Sequence, residues 1–144
     1  MRRENAVVVR HISAALAVQN LMHKLKYSEP LPFTRQEALD ILAGKNITKI
    51  CDVLIGITFH DPDRKWIESI LIQNSNHENE EIRALVATCI GHIARIHKDL
   101  TINKIRPILQ ILLTDKGKNV RGSAEDAIED INIFIPKYKN KIGI

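Results

Sequence analysis

The chain has 144 residues, 44% apolar and 26% charged, with six aromatics, and its 21 Lys and Arg against 17 Asp and Glu give a formal net charge of +4. One domain of this size buries a core without disulfides or metal, and the balance excludes collagen-like, mucin-like and disordered classes. A positive surplus attracts phosphate, so a nucleic-acid reading stays open until the charges are placed along the chain.

Taken in order, nearly every segment carries the three-four spacing of an amphipathic helix, and none alternates in the manner of a half-buried strand. Isoleucine (23) outnumbers leucine (13), but β-branching costs a helix only about a few tenths of a kcal/mol per residue. The first helix is predicted from Glu4 to Lys26, closed by Pro30 and Pro32. Thr34 and Glu37 form a capping box with Phe33 as a hydrophobic staple, so a short helix should span Arg35 to Ala43 and stop at Gly44. A third helix follows from Ile47 to Phe59. Asp61 and Pro62 then supply an N-cap and a first-turn proline for a fourth helix carrying Trp66, Ile67, Ile70 and Leu71. After a polar turn, Glu80 to His97 places Ile82, Leu85, Val86, Cys89, Ile93 and Ile96 on one stripe. Thr101 caps a sixth helix to Thr114, and a seventh runs from Val120 to Ile135 and stops at Pro136.

Arg10 and His11 interrupt the apolar stretch after the N-terminal arginines, so no export signal is read. No apolar run approaches the roughly 20 residues that cross a bilayer. Cys51 and Cys89, with 37 residues between them, read as two buried thiols in a reducing cytosol. A cytoplasmic location without membrane contact is expected.

Laid on itself with a shift of 38, the second half matches apolar to apolar through two helices. Ile67, Ile70 and Leu71 fall on Ile105, Ile108 and Leu109. Ile82-Arg83 falls on Val120-Arg121, Cys89-Ile90 on Ala127-Ile128, and Ile93 on Ile131. A helix-turn-helix period near 40 is the sequence signature of an α-solenoid, whose units bury their apolar faces on one another. The run from Ile105 to Asp115 followed by Val120-Arg121 resembles the HEAT repeat family of the HEAT/armadillo class. That resemblance implies an all-α, right-handed solenoid of about seven helices. It also implies that Pro107 bends its helix and that Arg121 reaches a turn carboxylate such as Asp115. The upstream unit departs from the pattern, with Ser69 in place of the proline and His77 in place of the aspartate, which leaves Arg83 without its intra-turn partner. The chain then reads as one domain, with N-terminal capping helices in 1–60, two repeats in 61–135 and a basic tail in 136–144.

Residues that carry chemistry are few. His92 and His97 stand about 140° apart around their helix, a poor arrangement for one metal. His60, Asp61, Pro62, Asp63 and Trp66 form a dense polar cluster that reads as a capped helix start with the indole under the turn. No phosphate loop, nucleophile elbow or paired-cysteine motif occurs, so no cofactor and no catalysis are expected. Gly91, among Ala84, Ala87 and Thr88, suits close approach of another helix. On the last helix Glu125, Asp126, Glu129 and Asp130 lie on one broad side, and Glu78, Glu80 and Glu81 at an earlier turn extend the acid. Such a stripe is either a solvated face or a docking surface for a cationic partner.

The leading reading is a non-catalytic protein-binding module. Its size and acidic stripe are similar to those of immunity proteins of bacterial toxin systems, which implies a heterodimer of one monomer with a cationic toxin nuclease domain. The alternatives are a nucleic-acid binder of the HEAT-like DNA glycosylase type and a regulatory HEAT scaffold. A glycosylase needs a basic, aromatic-lined surface. The charge argues against it, because residues 1–10 carry net +2 and 136–144 net +3, leaving 15 basic against 16 acidic residues in 11–135. The surplus belongs to the two ends, which read as frayed.

Overall fold

Four polar residues open helices by the same device. Thr34, Asn46, Asp63 and Asn79 each turn a side-chain oxygen onto the backbone N–H groups of the first turn that follows, at 2.9–3.2 Å, which satisfies donors that have no partner inside the helix. In the computed structural model, which describes residues 29–143, these caps start α1 (Arg35–Leu42), α2 (Ile47–His60), α3 (Arg64–Asn74) and α4 (Glu80–His97). Two more helices follow, α5 (Ile102–Leu112) and α6 (Lys118–Phe134), with a short 3-10 turn at Pro136–Tyr138. The described residues hold six α-helices and no strand. The first predicted helix, Glu4 to Lys26, lies outside them.

Each helix packs on the next across its turn, as α1 with α2, α3 with α4 and α5 with α6. Across these pairs α4 packs between α2 and α6, and α3 contacts α5. The second helices thus lie side by side in one layer and the first helices in another. The core fills the space between, with Ile50, Leu54, Ile67, Leu71, Ile82, Ile93, Ile105, Leu109 and Ile131 buried. Residues 38 apart occupy equivalent places: Ile67 and Ile105, Leu71 and Leu109, Ile82 and Val120, Cys89 and Ala127, Ile93 and Ile131 are all buried. Where the pairs differ, the later member is the more exposed. Ile70 and Ile90 are buried, whereas Ile108 and Ile128 are only half-buried.

Several local expectations need correction. Asp63 rather than Asp61 caps α3, and Asp61 instead accepts the Asp63 N–H at 2.8 Å, so Pro62 precedes the helix. Gly44 follows a C-cap at Ala43, and no described glycine has a positive φ; the left-handed residue at a helix end is Lys98, after α4. Ile96 is not on the buried stripe but 45% exposed. Thr101 is the residue before α5, but its side chain makes no cap bond. Pro107 sits on the exposed side of α5, where its missing N–H leaves the Asn103 carbonyl without an i+4 donor. The C-terminal segment is docked rather than frayed. Ile142 is fully buried, the Tyr138 hydroxyl donates to the Leu100 carbonyl at 3.4 Å, and Gln110 donates to the Ile142 and Gly143 carbonyls.

Arginines join the hairpins. Arg35, first residue of α1, reaches Asp63, the cap of α3, at 2.8 Å and lies 4.4 Å over the Trp66 ring. Arg64, first residue of α3, makes the same step onward: Nη1 donates to Glu68 at 2.6 Å and to the Thr101 hydroxyl at 3.3 Å, and Nη2 faces Asp99 at 3.5 Å. Glu68, only 3% exposed, also accepts the Thr101 N–H at 3.0 Å. At the opposite edge, Arg83 on α4 grips Asp115, in the turn before α6, through Nε at 2.8 Å and Nη2 at 3.0 Å.

The pairing of Asp115 overturns the expected bond to Arg121. Arg121 directs Nη1 to the Asp115 and Lys116 backbone carbonyls at 2.8 and 3.2 Å, and Arg83 does the same to His77 and Glu78 at 2.9 and 3.1 Å. The two arginines are equivalent toward their own turns, and only Arg83 has a following hairpin whose carboxylate its remaining fork can hold. His77 replaces the aspartate without loss, since its Nδ1 accepts the Asn79 N–H at 2.9 Å just as Asp115 Oδ1 accepts the Gly117 N–H at 2.8 Å. Arg83→Gln is therefore expected to destabilise the fold by about 2–4 kcal/mol, because it leaves a mostly buried carboxylate unpaired. Arg121→Gln should cost under about 1.5 kcal/mol. Urea unfolding midpoints measure both, and equal losses would contradict the assignment.

Candidate functional site

The layer of second helices presents an open groove of about 670 Å³. Its floor is Ile55 of α2 with Ala84 and Leu85 of α4, and Asn119 and Ser123 of α6 form the far wall. The spacing follows from helix geometry: Glu81, Ala84, Thr88 and His92 recur on one side of α4 at intervals of three and four, opposite the side that fills the core. The helices approach closely because of Gly91, as the small-residue face predicts. A Cβ there would fall 3.4 Å from the Ala127 Cα and 2.6 Å from Asp130 Oδ2.

The predicted acidic residues do not form one surface. Glu80 and Glu81 line the groove at the start of α4. The Glu80 side chain lies across Gly117, where a Cβ would meet it at 2.6 Å, so its carboxylate sits against the opening residue of α6, the positive end of that helix. Glu81 is half-buried, with the Cys51 thiol 4.0 Å away. Asp130 is also half-buried, against Gly91 and 3.9 Å from Arg95 Nε. Burial raises its pKa, Arg95 opposes that, and Asp126 and Glu129 add to it. Glu78, Glu125, Asp126 and Glu129 are exposed. Asn119, Ser123, Asp126 and Asp130 share one side of α6 at three-four spacing, whereas Glu125 projects about 100° away from Asp126. The acids thus divide into a pair at the head of the groove, a group along its far wall, and outward residues that the groove does not include.

Two contributors were missed from sequence. Asp52 lies one turn before Ile55 on α2, half-buried, with no ion pair among the described residues, and burial raises its pKa. Its only sequence signal is a lone acid in an apolar helix. Phe59, 42% exposed, stacks at a tilt on His92 with ring centroids 4.9 Å apart. Ile96, one turn beyond His92, adds a second exposed apolar side chain. The foot of the groove is thus aromatic and apolar where its head is acidic.

Among the described residues, no group of three or more His, Cys, Asp or Glu is placed to hold a metal, and no helix is long and apolar enough to cross a membrane. Both cysteines are buried thiols, and burial pushes Cys89 up to about 12, so it is not a thiolate nucleophile. The cluster at Asp61, Asp63 and Trp66 is occupied by capping and by Arg35, and His60 Nε2 donates to the Pro30 carbonyl at 2.9 Å.

The fold and site define an all-helical protein of packed hairpins with one broad open groove. No protein-family model matches the sequence, and the comparison with curated proteins finds no match. Among solved structures, a chain in the crystal structure of a CDI (contact-dependent inhibition) complex from Cupriavidus taiwanensis is 30% identical. The match covers 76% of this chain and 97% of that one, with a TM-score of 0.66. The chain belongs to the family of that Cupriavidus protein.

His92 supplies a pH test of the site. Burial, then repulsion from Arg95, lowers its pKa from 6.5 to about 4, and Arg95 donates to its Nδ1, as a neutral imidazole allows. Between those values the unfolded chain binds a proton that the folded chain does not, so stability falls as pH drops from about 6.5 to about 4. His92→Gln should flatten the decline in that window. An unchanged profile in chemical denaturation from pH 7 to 4 would place the imidazole in water.

Proposed function

We propose that this protein is a non-catalytic, cytoplasmic immunity protein, a HEAT-like right-handed solenoid that binds and neutralises a cationic toxin nuclease domain as one monomer in a heterodimer. The observation that carries the reading is the 30% identity over nearly the whole of a chain from a CDI complex. Repeated hairpins whose equivalent arginines, 38 residues apart, close their own turns in the same way support the solenoid. The exposed carboxylates Glu78, Glu125, Asp126 and Glu129 support the sign of the partner. Complementary charge raises the association rate and fixes orientation. The target of such a protein is basic because a nuclease holds phosphate.

A catalytic role has little to recommend it. Burial lowers the pKa of the groove histidine to about 4, and the Thr88 hydroxyl one turn away donates to the Ala84 carbonyl rather than to that imidazole. Nucleic acid is disfavoured as the occupant, since among the described residues no Lys or Arg lines the groove.

Affinity purification of the full chain from its native host tests the proposal. One stoichiometric basic protein should be recovered, and its recovery should fall at least tenfold with Glu81→Lys combined with Asp126→Lys. Recovery of nucleic acid alone, lost steeply as salt rises, or recovery unaffected by the reversals, would overturn it.

A further inference from the structure

After α6 the chain begins as a further hairpin would and then abandons it. Counting 38 residues on from the turn between α4 and α5, Asp99, Leu100 and Ile102 fall on Lys137, Tyr138 and Asn140. Leu100 is buried, Tyr138 packs half-buried against the same core, and the Tyr138 hydroxyl donates to the Leu100 carbonyl itself at 3.4 Å. The difference comes at the third position. Ile102 opens α5, whereas Asn140 stands in the left-handed region at φ 61°. Asparagine tolerates that conformation, but a right-handed helix does not start from it. The chain turns back instead, and Ile142 is fully buried.

The flank of the α5–α6 hairpin receives it. Gln110 Nε2 donates to the Ile142 and Gly143 carbonyls at 3.4 and 3.2 Å, and Asn132 Oδ1 accepts the Asn140 N–H at 2.9 Å. Helix spacing puts Leu113 on the side of Gln110 and Ile128 on the side of Asn132, and both are half-buried. The residues that join α3 to the next hairpin are replaced here. Arg64, which reaches Asp99, and Glu68, which accepts the Thr101 N–H, have Ile102 and Arg106 at the equivalent positions of α5. Arginine offers no acceptor to a following turn, and the Arg106 Nε is buried without a partner among the described residues.

We infer that residues 136–143 are a built-in cap, which takes the place of a further hairpin and keeps the flank of α5 and α6 from packing on a second copy of this chain. The flank of α3 and α4 is covered by α5 and α6, so an uncovered flank of this type fits another hairpin of the same kind. Two uncapped flanks would meet as a twofold dimer. The cap works in this way whatever the chain binds through its acids.

Size-exclusion chromatography with light scattering tests it on the full chain. Wild type should stay monomeric. Ile142→Asp, which puts a charge where the side chain is buried, should form a dimer that increases with concentration while the far-UV circular dichroism keeps its helix signal. A synthetic peptide of residues 136–144 should return that variant to a monomer, and the same peptide carrying Ile142→Asp should not. Gln110→Ala combined with Asn132→Ala removes only the bonds to the segment's backbone, and should speed amide exchange of residues 138–143 at least tenfold. An Ile142→Asp chain that stays monomeric, or a dimer that the peptide does not reverse, overturns the cap. Loss of the helix signal in Ile142→Asp would make the segment part of the core and overturns it too, as does unchanged exchange in the double variant.

Discussion

Arg83 adds a directional bond between consecutive hairpins that otherwise meet through a shared apolar core. One nitrogen holds the two carbonyls that close its own turn, and the other two take the Asp115 carboxylate of the next hairpin. The guanidinium is always charged and planar, so it meets both demands at fixed geometry. The pairing holds the Asp115 carboxyl below the usual carboxylate range, chiefly through the Arg83 hydrogen bond. Because Asp115 also accepts the Gly117 N–H, the same contact sets where α6 begins. The groove between α4 and α6 inherits its width from it.

The first-helix layer uses an analogous arrangement at its own edge. An arginine opening each helix reaches the cap region of the next, from Arg35 to Asp63 and from Arg64 to Thr101 and Asp99. Ions at both edges fix the stacking of hairpins whose cores are built from interchangeable aliphatic residues. Apolar contacts are non-directional, and a stack of hairpins held by such contacts alone would tolerate sliding. Directional bonds at the ends of the helices select one offset, and that offset brings Ile55, Glu81 and Ser123, from three different helices, around one groove.

Much of this was legible in the sequence because the helix signals are local. The capping box at Thr34 and Glu37 and the three-four spacing depend on residues within one or two turns, and the 38-residue shift compares two such local patterns. The failures are equally physical. Asp61 and Asp63 are both competent caps flanking Pro62, and composition does not choose between them. Pattern alone places Ile96 with the buried stripe, yet it comes at the end of α4, where the layer of first helices no longer covers it. Asp115 was assigned to the nearer arginine in sequence, because a contact across 32 residues between hairpins has no local signature. The acidic stripe on α6 looked continuous because charge is easy to count along a helix, whereas its division into groove and outer faces depends on which side α4 covers. Asp52 and Phe59 were invisible for the same reason, as they gain meaning only from α4 beside them.

The central claim is that the second-helix layer, which carries the exposed acids, and not the first-helix layer, receives a protein partner. Hydrogen–deuterium exchange of the full chain, alone and with its co-purified partner, tests it most directly. The account predicts added protection in residues 78–92 and 119–130, the segments of Glu78, Glu125, Asp126 and Glu129, with little change in 64–74 and 102–112. Protection concentrated in those latter segments, with the acidic segments unchanged, would contradict it.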